Sequence, residues 1–259
     1  MQRVLFHSTI FGPVKSRRLG VSLGINLSPN DGKICSFDCL YCEAGFNAQG
    51  PGHTGFPQVS KVLSDLERTL VKMQSENELP DVLTFSGNGE PTMHPQFGEI
   101  VDGVIELRNK YAPLAKISVL SNATMLHKND VVEALKKVDN AIMKLDSGID
   151  DTIRVLDRPN AGDFNVNAIK EGIKKIGSDV IVQTMLLRGS KDGKEIDNTT
   201  EHEINSLIGV LEDINPGGVM LYSIDRKTPY NNLVKVEKAE MEHIAHKMRA
   251  AGLRNVTVS

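Results

Sequence analysis

Short apolar runs alternate with longer amphipathic ones along most of this chain, the pattern of strand and helix repetition around a mostly parallel sheet. The run 21–27 predicts a first strand that leads into a loop. The stretch 59–73 predicts a helix, because Val59, Val62, Leu63, Leu66, Leu70 and Met73 fall on one helical face. Further strands are expected at 82–86, 117–121, 141–145, 180–187 and 219–223, with helices at 97–108, 131–138, 165–176, 201–211 and 238–250. Residues 256–258 are a candidate for one extra short strand. The glycine- and proline-rich stretch 43–56 reads as a long loop, and the polar stretch 189–198 as a mobile surface loop.

Six strand–helix units predict an α/β fold, an incomplete (β/α)6 barrel open on one side, with a doubly wound open sheet as the other arrangement the pattern allows. The 259 residues suit one large domain. Residues 1–18 read as an N-terminal extension, 19–223 as the barrel with its long first loop, and 224–259 as a C-terminal loop and helix. Hydrophobic residues at 40%, charged residues at 24% and a net charge of -3 describe an ordinary soluble protein without a broad nucleic-acid footprint. The first seven residues have no apolar core of a secretion signal, and no apolar run approaches membrane-spanning length, so a cytoplasmic protein with no membrane partner is expected.

All three cysteines of the chain fall in one stretch, Cys35-Ser-Phe-Asp-Cys39-Leu-Tyr-Cys42. Three soft thiolates at this spacing, with no fourth cysteine, suggest a cubane iron–sulfur cluster whose last iron stays open to an exchangeable ligand. A zinc site completed by His53 and a redox-reactive thiol group are the alternatives; zinc modules more often show cysteines in pairs. Phe37 and Tyr41 would shield such a cluster from water. A non-enzymatic iron–sulfur electron carrier would gain nothing from an open iron.

The motif Cys35-x3-Cys39-x2-Cys42, with an aromatic residue before the last cysteine, resembles the signature of the radical S-adenosylmethionine superfamily. Gly87-Asn88-Gly89-Glu90-Pro91, about 45 residues further on, resembles that superfamily's Gly-Gly-Glu-Pro turn with one residue displaced. The resemblance covers about residues 19–223 and implies a partial TIM barrel with a [4Fe-4S] cluster loop after the first barrel strand. It also implies that the open iron chelates the amino nitrogen and carboxylate of S-adenosylmethionine. One electron, from a donor such as flavodoxin or ferredoxin, then splits the cofactor into methionine and a 5'-deoxyadenosyl radical, which takes hydrogen from a substrate.

Under that resemblance Cys35, Cys39 and Cys42 hold the metal, and Gly87, Asn88, Gly89, Glu90 and Pro91 form the methionine-binding turn. Tyr41, Ser121, Asn122, Asp146 and Gln183 are further cofactor-binding candidates, Asn122 because it both donates and accepts, as ribose hydroxyls require. Met185 reads as core packing. Lys15, Arg17 and Arg18 form a compact basic cluster near the expected entrance, suited to an anionic substrate, and Lys144 and Arg226 are further anion-binding candidates. Stretches 11–20 and 222–226 resemble a branch grouped with the wyosine-base synthases that modify transfer RNA. Those enzymes carry further cysteines for a second cluster, which this chain lacks. The expected substrate is a small molecule or nucleotide, with a tRNA base or a protein or peptide as the alternatives.

Overall fold

The computed structural model describes residues 3–16, 18–226 and 228–259. In chain order it contains β1 (Ile10–Ser16), β2 (Gly20–Ile25), α1 (Val59–Ser75), β3 (Val82–Phe85), α2 (Phe97–Tyr111), β4 (Lys116–Ser121), α3 (Asn129–Leu135) and β5 (Asn140–Lys144). There follow α4 (Asp150–Leu156), α5 (Val166–Lys174), β6 (Ile181–Lys191), β7 (Lys194–Asp197), α6 (Glu201–Ile214), β8 (Gly218–Ser223), β9 (Leu233–Lys235), α7 (Lys238–Ala250) and β10 (Val256–Val258). One sheet runs in the order β1-β2-β3-β4-β5-β6-β8-β10. Its first pair is antiparallel and the rest are parallel. The sheet is curved but not closed, the partial TIM barrel expected from the sequence, and 256–258 adds a seventh parallel strand.

The helices form where apolar spacing and caps agree. Val62, Leu66, Leu70 and Met73 bury one stripe of α1 against the sheet. Asn165 and Thr200 cap α5 and α6 by accepting from the amides of Ala168 and Glu203. The parallel strands carry continuous apolar runs, with Leu23, Ile25, Leu83, Phe85, Ile117 and Val119 fully buried. The barrel lumen is more polar: Ser22 and Thr84 bond each other at 2.8 Å, and Asn140 donates to Ser118 at 2.9 Å.

One local expectation needs correction, and two elements add detail. Within the N-terminal extension, β1 pairs antiparallel with the first barrel strand, its register shifted between Phe11 and Val14. The stretch 189–198 is a hairpin. Asp192 and Gly193 sit at φ 52° and 79°, the pair of positive values a type I' turn needs, so β6 runs on and folds back into β7. That overhang also pairs with β9, giving a small antiparallel sheet above the barrel. The other added element is α4, which apolar periodicity over so few residues does not announce. A satellite core of Leu40, Leu156, Met185, Leu187 and Ile196 packs the overhang and α4 against the cysteine loop.

Candidate active site

Parallel strands bring all their C-terminal ends to one rim, where α/β barrels carry their chemistry. The loop after β2 lays Cys35, Cys39 and Cys42 on one wall of a cavity of about 180 Å³. Gly89, Glu90, Ser121 and Asn122, from the turns after β3 and β4, line it beside them, while Leu120, Ile142, Lys144, Gln183 and Tyr222 come from the lumen.

The cysteine loop is held by backbone bonds to α4 and the residues after it. The Asp38 amide donates to Asp157 (2.9 Å), the Leu40 amide to Leu156 (3.0 Å) and the Asn160 amide to Ser36 (2.9 Å). Asn160 and Asn47 side chains donate to the Cys35 carbonyl. The turn after β3 fits under the loop as a short parallel bridge between Ile34 and Gly89, and the Glu90 amide donates to the Ile34 carbonyl at 3.0 Å. A Cβ on Gly89 would lie 1.9 Å from that carbonyl oxygen, so only glycine fits. At Gly87, with φ 142°, an added Cβ would lie 2.4 Å from the Asn26 side chain. Gly89→Ala is expected to cost about 1–3 kcal/mol or more, because backbone rather than a flexible side chain must move; urea denaturation of the iron-free protein measures it.

Glu90 is buried and fully engaged. One carboxylate oxygen accepts from the Thr92 amide (3.0 Å) and hydroxyl (2.5 Å), the other from the Asn122 amide (2.7 Å). Burial raises its carboxyl, against the pull of those donors. Asn122 donates from its side chain to Ser36 (2.9 Å) and toward the Cys35 sulfur (3.6 Å). Ser121 lines the cavity and accepts from the Ala123 amide.

Behind Cys39 lies a buried ionic cluster. Lys144 donates to Asp146 at 2.6 Å and to Asp157, and the Tyr41 hydroxyl also donates to Asp146. The ammonium sits 5.3 Å from the Phe37 ring and 5.4 Å from the Tyr41 ring. Burial opposes the Lys144 charge, but the two carboxylates hold its pKa well above the usual lysine range. Burial raises the Asp157 carboxyl and pushes the Cys35 thiol up to about 12 and the Cys39 thiol well above its ordinary value. Gln183 is 9% exposed, and its carbonyl oxygen is buried without a hydrogen-bond partner while its side chain lines the cavity.

The structure thus brings Cys35, Cys39, Cys42, Tyr41, Gly89, Glu90, Ser121, Asn122, Lys144 and Gln183 around one space. Other candidates lie elsewhere. The Asn88 side chain is fully buried, donating to the Phe6 and Pro29 carbonyls and accepting from the Phe6 amide, all at 2.8 Å. It ties the N-terminal segment to the turn. Pro91 opens a buried 3-10 turn beside the cavity, and Asp146 stands behind Lys144. Lys15 is not at the rim. Ser16 pairs with Gly20 at the start of β2, and a parallel strand starts at the end opposite its loop, so Lys15 is exposed at the barrel floor. Arg18 reaches inward from that floor, its guanidinium 4.6 Å from the Tyr222 ring centre. Arg17 lies outside the described residues. Arg226 is at the rim, bonded to Glu43 at 2.8 Å. His53 is exposed, with its amide on Asp31, and does not line the cavity. Sequence reasoning missed Lys33 and Asp157, neither of which carries a local signal, and reads Tyr222 only as part of the stretch 222–226.

A cubane with one open iron asks for a cysteine sulfur on each of three irons and room for a ligand on the fourth. The three cysteines that line the cavity meet the first demand, and the space between them and Gly89–Glu90 meets the second. Among the described residues no three His, Cys, Asp or Glu side chains approach closely enough to share a single ion, and a cluster with separate irons does not require it.

The chain matches the Radical SAM superfamily over residues 30–201 and belongs to it. More narrowly, it belongs with the UPF0026 proteins: it is 34% identical over 226 residues to UPF0026 protein slr1464 of Synechocystis sp., covering 85% of this chain and 77% of that protein. A Brachyspira hyodysenteriae protein named GTPase Obg is 28% identical over 237 residues, which cover 90% of this chain but only 32% of that protein. Streptococcus suis SuiB bound to precursor peptide SuiA has a similar fold, with a TM-score of 0.63 at 14% identity over 91% of this chain and 48% of that one. TYW1 with a lysine-pyruvate adduct bound has a TM-score of 0.61 at 15% identity, over 88% of this chain and 73% of that one. At such identities the likeness is of fold alone. The protein is a radical SAM enzyme, and its cofactors are those of the superfamily, a [4Fe-4S] cluster and S-adenosylmethionine. Among the described residues no helix is long and apolar enough to cross a membrane.

Proposed function

We propose that this enzyme abstracts hydrogen from a small molecule or a nucleotide, within a single catalytic domain, in the cytoplasm, with reduced flavodoxin or ferredoxin as electron donor. The observation that supports the substrate class is the pair of polar lumen side chains that line the cavity with the three cysteines, Lys144 and Gln183. A fixed cation and a carbonyl without a partner suit a compact polar substrate. A folded RNA would call for a basic surface around the rim, whereas Lys15 is exposed at the barrel floor and Arg18 reaches the Tyr222 ring inside the lumen.

When bound, the cluster and S-adenosylmethionine supply the electron and the carbon radical. The chain's own residues hold, orient and enclose. Cys35, Cys39 and Cys42 grip the cluster. The Gly89–Glu90 turn borders the space where the amino acid portion of the cofactor would sit, and its close packing on Ile34 fixes that border. Ser121 and Asn122 offer hydroxyl and amide groups to a ribose or carboxylate. Lys144, held charged by two carboxylates, offers an anion a cation of fixed position, and the unpartnered carbonyl of Gln183 awaits a donor. Asn122 also supports Cys35 from behind, so Asn122→Ala is expected to weaken cluster retention by about 10- to 100-fold, read as iron content after chelator challenge.

The substrate class is tested by supplying the loaded enzyme with deuterated cell extract separated into small molecules, RNA and peptides. Deuterium in the released 5'-deoxyadenosine is expected from the small-molecule fraction. Transfer only from RNA or only from peptides would overturn the reading.

A further inference from the structure

Beneath the cysteine loop lies a charge with no role in the function proposed above. Lys33 stands two residues before Cys35, and its side chain is 1% exposed. Its ammonium donates to the Gly45 carbonyl at 2.8 Å and faces the Asp38 carboxylate at 3.5 Å. These contacts bracket the motif: Asp38 adjoins Cys39, and the Gly45 amide donates back to the Cys42 carbonyl at 2.9 Å. Lys33 does not line the cavity, so it is out of reach of a molecule bound there.

A buried ammonium is costly unless anions close by offset its desolvation. Asp38 alone does this weakly, because it also takes the Arg158 guanidinium at 3.2 Å and the Asn47 amide at 2.6 Å. The other source of negative charge is the loop that encloses the ammonium: Cys35 stands two residues on, Cys39 adjoins Asp38, and Cys42 is bonded to Gly45, whose carbonyl accepts from Lys33.

We propose that Lys33 is a fixed counter-cation for the three cysteine thiolates, a positioning residue that favours the reduced, more negative state of the cluster they hold. This rests on the reading of those cysteines as cluster ligands. An added electron is stabilised by a nearby buried cation and destabilised by a nearby anion. Lys33 therefore raises the potential at which the donor's electron is accepted, and Asp38 lowers it.

The test is the midpoint potential of the reconstituted cluster, followed by electron paramagnetic resonance, in wild type, Lys33→Met, Lys33→Arg and Asp38→Asn. Lys33→Met keeps the stem and removes the charge; it is expected to reduce the equilibrium constant for reduction at least tenfold, about 59 mV for one electron. Lys33→Arg should stay near wild type. Asp38→Asn, which leaves an oxygen for the Asn47 amide, should shift the potential upward. Coincident potentials in Lys33→Met and wild type would overturn the role, as would an equal fall in Lys33→Arg. If Lys33→Met retains no iron, Asp38→Asn decides alone: an upward shift supports the role, and no shift or a downward one refutes it. A wild-type protein that binds no iron would instead refute the cluster reading itself.

Discussion

Cys39→Ala protein, reconstituted without oxygen, will carry no cubane and release no 5'-deoxyadenosine above background. Cys39 is 8% exposed and packs in the main core, so the alanine sits in a small apolar cavity and the fold survives. No ligand can take the lost position, because the chain has only three cysteines and all are committed to the loop. His53 is exposed and away from the cavity. A cubane left with two protein ligands and two open irons is not retained. The measurement is iron content with product release on the same sample, and a native circular dichroism spectrum separates loss of cluster from loss of fold. Product release at the wild-type rate would contradict the assignment of Cys39.

The second large effect is expected at Lys144. Replacement by methionine keeps most of the side-chain volume and removes a cation that contacts both Asp146 and Asp157. Both carboxylates are buried, with side-chain exposures of 0% and 1%. Removing one member of a buried charge group leaves the others uncompensated, typically at about 3–5 kcal/mol. Lys144→Met should lose stability of that order in urea denaturation at neutral pH. Adding Asp157→Asn removes one stranded charge and should recover part of the loss. Equal stabilities of Lys144→Met and wild type would mean that the cluster contributes nothing to the fold.

How much could be read from the sequence follows from how local each signal was. The parallel strands were legible because buried strands are short apolar runs, and the helices because their stripes recur at helical spacing. The cysteine motif and the Gly87–Pro91 turn were legible because metal ligation and close backbone approach restrict residue type within a few positions. What escaped depends on distant partners. Asn88 was grouped with the turn it belongs to, but its side chain serves Phe6 and Pro29, some sixty to eighty residues away. The basic cluster precedes the cysteine loop in sequence, yet strand direction sends Lys15 to the opposite end, while the Arg18 guanidinium reaches the Tyr222 ring that lines the cavity. Asp192-Gly193 did carry a local signal, the dipeptide of a tight hairpin, which the surrounding polar residues obscured. Lys33 and Asp157 look like any surface charge until the loop folds over them.

The most direct test of the account is the electron paramagnetic resonance spectrum of the reduced, reconstituted protein, recorded before and after S-adenosylmethionine is added. With about four irons bound per chain, the signal should change shape on addition of the cofactor, as expected for a cluster with one iron open to its amino and carboxylate groups. An identical spectrum in a fully loaded protein would mean that no iron is open to it, and the site described above would not be one for radical chemistry.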